Sequence, residues 1–185
     1  MVNTDIFFCG IKHSGKSTLG RLVSRRVGLL WRDADNLVKA LIPKDDTIRS
    51  FYRREGVEAF RNKELEAIGN FLSLSHPQTI VSMGGGACDN APLMERINQK
   101  GLTVYLSVPE EVLYGRVIRD GIPPFLDASR PKESFHALYL RRDELYGKLC
   151  SLVVHLPDTP DVEDSVRYLE KILQGARHGT QHIRH

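Results

Sequence analysis

The chain has few cysteines and no long apolar run. Its three cysteines, Cys9, Cys88 and Cys150, are odd in number and widely spaced, with no CxxC pair. This usage argues against a disulfide framework or a cysteine zinc site and favours free thiols in a reducing compartment. No segment has the composition of a signal peptide, and no apolar run is long enough to span a bilayer. We therefore expect a cytoplasmic protein that has no membrane contact.

The sequence also lacks a strong charge of either sign. Lys and Arg total 26 and Asp and Glu total 23, with no basic stripe interleaved with aromatics, so no nucleic-acid partner is expected. A length of 185 residues that is 41% hydrophobic suits one buried core. We predict a single domain over residues 1–175, acting as a monomer. Residues 176–185 have no apolar period and are predicted to form a flexible tail whose histidines lack metal spacing.

The most specific motif is GIKHSGKS at residues 10–17, which has the spacing G-x-x-x-x-G-K-S of a P-loop. In this loop backbone N–H groups cradle a phosphate, Lys16 reaches the β and γ oxygens, and Ser17 ligates Mg²⁺. The run DIFFC before it is typical of a buried strand, and helical spacing follows it. This context favours a nucleoside triphosphate ligand, ATP or GTP, over a glycine turn without a ligand.

Apolar patterns alternate between strands and helices along the rest of the chain. Five such runs predict a mainly parallel five-stranded sheet with helices on both faces, an α/β fold of the P-loop NTPase type with three α/β/α layers. Ligands of such sheets bind beyond the carboxyl ends of the strands. The predicted strands cover residues 5–9, 27–31, 78–82, 102–106 and 152–155, and the predicted helices cover 17–26, 57–74, 91–99, 110–119, 134–147 and 162–173. Helical patterns also follow Asp35, with a break at residues 43–46.

A carboxylate pair, Asp33 and Asp35, follows the second predicted strand. Two carboxylates near a triphosphate repel it unless a cation lies between them, so one is expected to support Mg²⁺, partly through water. The other is expected to accept a hydrogen bond or a proton from an acceptor hydroxyl. The alternative is a pair of N-cap residues for a helix that begins at Asn36.

Three consecutive glycines, Gly84 to Gly86, follow the third predicted strand. Glycines permit conformations and close approaches that other residues forbid, so their N–H groups could bind a carboxylate or hydroxyl of a small substrate. A tight turn is the alternative. A proline-rich segment, residues 120–133, interrupts two helices and is predicted to be a lid that excludes water, as opposed to a passive connection.

Taken together, these motifs resemble the shikimate kinase family, small P-loop kinases of aromatic amino-acid biosynthesis. The resemblance spans residues 5–175. It depends on five elements in order: GIKHSGKSTLG, RDADN at 32–36, GVEAFRNKE at 56–64, SMGGGA at 82–87 and LRRDELY at 140–146.

The resemblance implies transfer of the γ-phosphate of ATP to the 3-hydroxyl of shikimate. Lys16 and Ser17 would serve ATP and Mg²⁺, Asp33 would support the metal, and Asp35 would hold the ring hydroxyls and act as base. Arg61 and Arg142 would clamp the shikimate carboxylate, since a planar guanidinium can donate two parallel hydrogen bonds to it. The implied nucleotide-binding residues are Gly10, His13, Ser14, Gly15, Lys16, Ser17, Thr18, Arg119 and Pro160, and the implied shikimate-binding residues are Asp35, Arg61, Gly84, Gly85, Gly86 and Arg142.

The chain departs from the family pattern at three positions. The family usually has glycine at the position of His13 and glutamate at that of Val57. Its lid carries an arginine just before Pro-Leu, where this chain has Pro123. Arg130 is predicted to supply that charge as a catalytic residue, with Lys132 as an alternative. Two other interpretations stay open: a kinase for another polyhydroxy acid such as gluconate, and an impaired homologue that binds nucleotide as a regulatory module.

Overall fold

A computed structural model describes residues 4–119, 121–123, 125–157 and 161–177. The described residues form five strands and seven α-helices that alternate along the chain, with a short 3₁₀ turn at Ala87–Asp89 after the third strand. The strands are β1 Asp5–Cys9, β2 Leu30–Asp33, β3 Thr79–Ser82, β4 Gly101–Ser107 and β5 Leu152–His155. The helices are α1 Lys16–Val27, α2 Ala34–Lys39, α3 Ile48–Ser73, α4 Ala91–Lys100, α5 Glu110–Ile118, α6 Pro131–Leu149 and α7 Val162–Arg177.

The sheet is parallel throughout, in the order β2-β3-β1-β4-β5. The alternation of side chains along β1 builds two cores: Phe7 joins a cluster with α3, α4, α5 and α6, and Phe8 joins a cluster with α1 and α7. Both phenylalanines are fully buried. The predicted three-layer α/β/α fold is confirmed, and the order of the strands brings the carboxyl ends of β1, β2 and β3 to one edge.

The predicted bounds of the second strand, residues 27–31, are wrong. The α1 helix continues to Val27 and ends at Gly28, which adopts a left-handed conformation (φ 68°) and donates its N–H to the Ser24 carbonyl. This glycine C-cap is a common helix end, and it moves the strand three residues on. Asp33 is therefore the last residue of β2, paired with Ser82 of β3.

The long helix α3 also begins earlier than predicted, at Ile48 in place of residue 57. A reciprocal capping box between Thr47 and Ser50 starts it, and Gly56 (φ 84°, ψ 177°) interrupts it with a kink. The kink separates a first segment, which packs with α2 in a small apolar cluster, from a second segment that packs on the sheet. The predicted long helix begins at the residue after Gly56, so its predicted start coincides with the kink and not with the first residue of α3.

The segment predicted as a lid lies partly outside the described residues, at Asp120 and Pro124. Leu126 is buried in the main core, whereas Phe125 is exposed. The predicted tail begins within α7, which continues to Arg177, and residues 178–185 lie outside the description. Within the described ranges, no helix combines the length and apolar character needed to cross a bilayer.

Candidate active site

The P-loop connects β1 to α1 at the carboxyl edge of the sheet. Lys16, the first residue of α1, is buried, and its Nζ donates to the carbonyl of Ile11 (2.9 Å) and to Oγ of Ser14 (3.3 Å). Desolvation lowers the pKa of Lys16 to about 8, and the negative charges of Asp35 and Asp33 oppose that shift. The ammonium is thus held inside the loop, within electrostatic reach of both predicted carboxylates.

The backbone of this loop is unusual at two positions. His13 has a left-handed conformation (φ 66°). Gly10 has φ 152° and leaves no room for a side chain, since a Cβ there would lie 2.8 Å from Oγ of Ser14. A left-handed conformation suits glycine better than histidine. His13 therefore occupies a backbone position that favours glycine, the residue expected there from the family pattern. The His13 carbonyl accepts a hydrogen bond from Nη1 of Arg116 at 3.1 Å.

The arginine that contacts the P-loop is therefore Arg116 of α5, which motif reasoning missed. Arg119, predicted to flank the adenine, is the C-cap residue of α5 and makes no such contact with the loop among the described hydrogen bonds. The two residues are three apart, so one helical turn separates them and the sequence alone could not choose between them. Pro160, the other adenine candidate, lies outside the described residues, and Thr18 is exposed on the first turn of α1.

Ser17 and Asp33 face each other across the P-loop and the end of β2. Ser17 Oγ donates to Oδ2 of Asp33 at 2.6 Å, and Oδ1 of Asp33 accepts from the backbone N–H of Asp35. Asp33 thus caps α2, as the alternative interpretation supposed for this pair, and it still directs a second oxygen to Ser17. One hydroxyl and one carboxylate suit Mg²⁺, which keeps waters and phosphate oxygens in such sites.

Ser17 and Asp33 together offer two side-chain ligands to a metal ion. No group of three or more His, Cys, Asp or Glu side chains suited to a metal exists among the residues that the structure describes. That Ser17 and Asp33 hold an ion that arrives with a triphosphate stays a prediction from the motif.

Asp35 lies beside a second carboxylate, Glu64 of α3, which motif reasoning missed. A Cβ placed on Gly84 would lie 3.6 Å from Oδ1 of Asp35 and 3.3 Å from Oε1 of Glu64, so both acids border the same glycine. Burial and the charge of Asp33 raise the pKa of Asp35, although Lys16 and Lys12 oppose the shift. A more basic carboxylate at this edge is better suited to accept a proton.

Glu64 is buried and accepts a hydrogen bond from Nδ2 of Asn90 at 3.2 Å. Desolvation raises its pKa to about 7, the Asn90 hydrogen bond opposes this, and the charge of Asp35 adds to it. The signal in the sequence was its spacing of three from Arg61, which places both side chains on one side of α3. Nothing in the spacing indicated that Glu64 would be buried.

The raised pKa of Glu64 makes the stability of the protein depend on pH. Between its usual value of 4.5 and about 7, the folded chain keeps a proton that the unfolded chain has lost. The free energy of unfolding therefore falls as pH rises through this window. Glu64→Gln removes the cost, so urea denaturation should show the variant gaining about 1–3 kcal/mol on wild type between pH 5 and pH 8. An equal difference at both pH values would show that Glu64 is ionised without penalty.

Among the three glycines after β3, Gly85 is the one that a close approach of backbone requires. A Cβ on Gly85 would lie 2.8 Å from the backbone nitrogen of Lys12, so the P-loop packs directly against this turn. None of the three is among the glycines with positive φ, so the left-handed freedom of glycine is not what this turn uses. The hydroxyl of the buried Tyr146 donates to the Gly84 carbonyl at 3.4 Å, and this hydrogen bond supports the turn.

Arg142 of α6 reaches the same turn. Its Nη1 donates to the Gly85 carbonyl at 3.2 Å, and its Nε and Nη2 donate to Oδ2 of Asp89 at 3.1 and 2.8 Å. Burial alone would raise the pKa of Asp89, but the hydrogen bond from Arg141 and the charge of Arg142 hold it below its usual value. Two arginines share this one carboxylate, so Asp89 neutralises only part of their combined charge.

Two predicted site residues remain to be placed, Arg61 and Arg130. Arg61 follows the kink of α3, where Nη1 pairs with Glu58 at 2.8 Å and the charge acts on Glu64. Arg130 begins α6 as its N-cap residue, with a side chain 75% exposed and 4.0 Å from Asp127. The structure thus gathers Lys16, Ser17, Asp33, Asp35 and Gly84 to Gly86 with Arg142, and it leaves Arg130 on the exposed side of the predicted lid.

Comparison with known proteins identifies the family. The shikimate kinase family model matches residues 12–173. The chain is 32% identical over 150 residues to a shikimate kinase of Paracidovorax citrulli, with 81% of each chain covered. A solved shikimate kinase of Acinetobacter baumannii in complex with shikimate superposes with a TM-score of 0.81 at 26% identity, over 97% of this chain and 96% of that one.

A gluconokinase of Sinorhizobium meliloti also superposes, with a TM-score of 0.58 at 18% identity over 97% of this chain and 98% of that one, and it shows the fold alone. The range that the family model matches contains most of the P-loop, the carboxylate pair and the triglycine turn. The chain belongs to the shikimate kinase family.

Proposed function

We propose that this protein transfers the γ-phosphate of ATP to the 3-hydroxyl of shikimate. The observation that carries the proposal is the convergence of a phosphate loop, a basic carboxylate and a cationic clamp on one sheet edge. Lys16 lies within electrostatic reach of Asp33, Asp35 and Arg142 together. Family membership supports the same reaction.

On the nucleotide side, the P-loop backbone holds the phosphates and Lys16 leaves the Ile11 carbonyl to pair with the β and γ oxygens. Ser17 and Asp33 would hold Mg²⁺, which neutralises phosphate charge when it is bound. Arg116 steadies the loop through the His13 carbonyl. Arg119, Pro160 and Thr18 remain nucleotide-binding candidates from the motif comparison.

On the acceptor side, Asp35 orients the 3-hydroxyl and accepts its proton. The hydroxyl oxygen forms the new bond to the γ-phosphorus, the bond from that phosphorus to the β–γ bridging oxygen breaks, and ADP leaves with the electron pair. Most of the catalysis is positioning and stabilisation of charge, as is general for phosphoryl transfer. We further propose that the chain works as a monomer in the cytoplasm.

The shikimate carboxylate is proposed to bind between Arg61 and Arg142, beside the backbone of Gly85 and Gly86. Arg61→Ala and Arg142→Ala should each raise the KM for shikimate by roughly ten- to a hundred-fold, because each removes a charge-assisted hydrogen bond worth about 1.5–3 kcal/mol. Initial rates at saturating ATP measure this effect. Arg141→Ala is the matched control, since Arg141 is exposed and pairs with the same Asp89.

The KM for ATP should stay near the wild-type value in all three variants. An unchanged shikimate KM in both Arg61→Ala and Arg142→Ala would mean that the acceptor carries no carboxylate at this position. Arg142 keeps N–H groups beyond the three that bind Asp89 and Gly85, so it has donors available for a substrate.

A coupled assay of ADP release tests the proposed reaction against its alternatives. Parallel reactions contain shikimate, gluconate or no acceptor, and the proposal predicts rapid ADP release with shikimate alone. Faster release with gluconate would favour the other kinase. Binding of ADP without turnover on either acid would favour an impaired homologue, for which the missing lid arginine at Pro123 is the motivation.

A further inference from the structure

One cation at the site has no role in the P-loop motif: Lys12, the third residue of GIKHSGKS. Its side chain is exposed, and Nζ lies 5.4 Å from the centroid of the Phe125 ring. Phe125 belongs to the predicted lid and is itself exposed. The ammonium of Lys12 therefore lies between the phosphate loop and the segment that follows α5.

The same residue also faces the acceptor side of the site. The backbone of Lys12 packs on Gly85, where a Cβ would lie 2.8 Å from its nitrogen and 2.9 Å from its Cα. The charge of Lys12 acts on the Asp35 carboxyl and lowers its pKa, against the larger effects of burial and Asp33. Lys12 is thus placed among the nucleotide loop, the triglycine turn and the proposed base.

The other basic side chains near the loop are already engaged or lie further out. Lys16 donates inside the loop, Arg116 binds the His13 carbonyl, and Arg130 pairs with Asp127 from a side chain that is 75% exposed. Lys12 forms no ion pair with any residue in the described part of the chain. Its contact with Phe125 is an exposed cation–π contact, which positions an ammonium without immobilising it.

We propose that Lys12 contacts the phosphoryl group in transfer and supplies the positive charge that the lid lacks at Pro123. The proposal rests on the function proposed above and names a further residue for that reaction. Negative charge spreads over the equatorial oxygens of the transferred group, and a mobile ammonium with three donors can follow those oxygens. Phe125 holds Lys12 on the lid side until the phosphates arrive.

The test compares Lys12→Met with Lys12→Arg, and uses Lys100→Met as the control for loss of an exposed lysine. In the shikimate assay, Lys12→Met should lower kcat on the order of 10²-fold, with both KM values within a few-fold of wild type. Lys12→Arg keeps the charge and should retain most of the kcat. Thermal unfolding and ADP titration confirm that each variant is folded and binds nucleotide.

The split between kcat and KM separates this role from a structural one. A structural defect in Lys12→Met would raise the KM values or lower the melting temperature, whereas loss of a contact with the transferred phosphoryl group lowers kcat alone. Lys12→Arg restores the positive charge and should therefore restore kcat.

Three outcomes would overturn the proposal. These are a wild-type kcat in Lys12→Met, an equal loss in Lys12→Arg and Lys12→Met, and a kcat loss confined to Arg130→Ala, which would assign the charge to the lid. A wild-type chain that releases no ADP with shikimate would instead overturn the proposed function, and the role of Lys12 with it. An active wild type with a silent Lys12→Met overturns the role of Lys12 alone.

Discussion

Asp35→Asn is expected to lower kcat by roughly 10³-fold, within the range that a general base contributes, while nucleotide affinity stays within a few-fold of wild type. Asn retains the shape of the side chain but cannot accept a proton from the acceptor hydroxyl. The pKa of Asp35 is raised by burial and by Asp33, so the neutral amide also relieves repulsion. The variant should therefore be at least as stable as wild type, and a loss of activity would not reflect unfolding.

Single-turnover rates with shikimate measure the loss of phosphoryl transfer, and calorimetric titration with ADP measures the nucleotide affinity. Asp45→Asn is the matched control, because Asp45 is exposed in the loop before α3. If Asp35→Asn lost nucleotide binding and kept acceptor binding, Asp33 and Asp35 would have exchanged their proposed roles. Full activity in Asp35→Asn would remove the base from the mechanism.

Lys16→Met is expected to abolish measurable turnover, a fall of roughly 10³-fold or more, since a preorganised charged donor to the phosphates is lost. Met fills a similar volume but leaves the buried Ile11 carbonyl without the 2.9 Å hydrogen bond that it now accepts. That carbonyl still accepts a hydrogen bond from the N–H of Ser14 at 3.2 Å, so the variant should stay folded and the loss of turnover would not reflect unfolding.

Turnover of Lys16→Met is measured at a temperature where circular dichroism shows the variant folded. Lys100→Met, at the exposed end of α4, is the matched control and should behave as wild type. Unchanged turnover in Lys16→Met would exclude the P-loop from the reaction.

Much of the fold was predictable because the apolar runs are short, buried and separated by clear helical patterns. The bounds of β1 and β5 agree with those predicted, β3 begins one residue later than predicted, and β4 extends one residue further at each end. The error at β2 arose because VGLLW is apolar throughout and suits a helix end or a strand equally well. Gly28, in its left-handed conformation, decides between them.

The candidate site was also predictable only in part: its local motifs could be found in the sequence, but its tertiary contacts could not. The P-loop, the carboxylate pair and the triglycine turn are local in sequence, so their spacing by itself indicates phosphate chemistry. Glu64 and Arg116 were missed because their importance comes from tertiary contacts: Glu64 is buried beside Asp35, and Arg116 reaches the His13 carbonyl from 103 positions away. No pattern in one sequence reports such distances.

The most direct test of the central claim identifies the product. Wild-type protein is incubated with ATP, Mg²⁺ and shikimate, and proton–phosphorus correlation NMR locates the new phosphate ester. We expect one ester on the C3 oxygen of shikimate for each ADP formed, and none when shikimate is omitted. Release of ADP with inorganic phosphate and no shikimate ester, or an ester on another oxygen, would contradict the central claim.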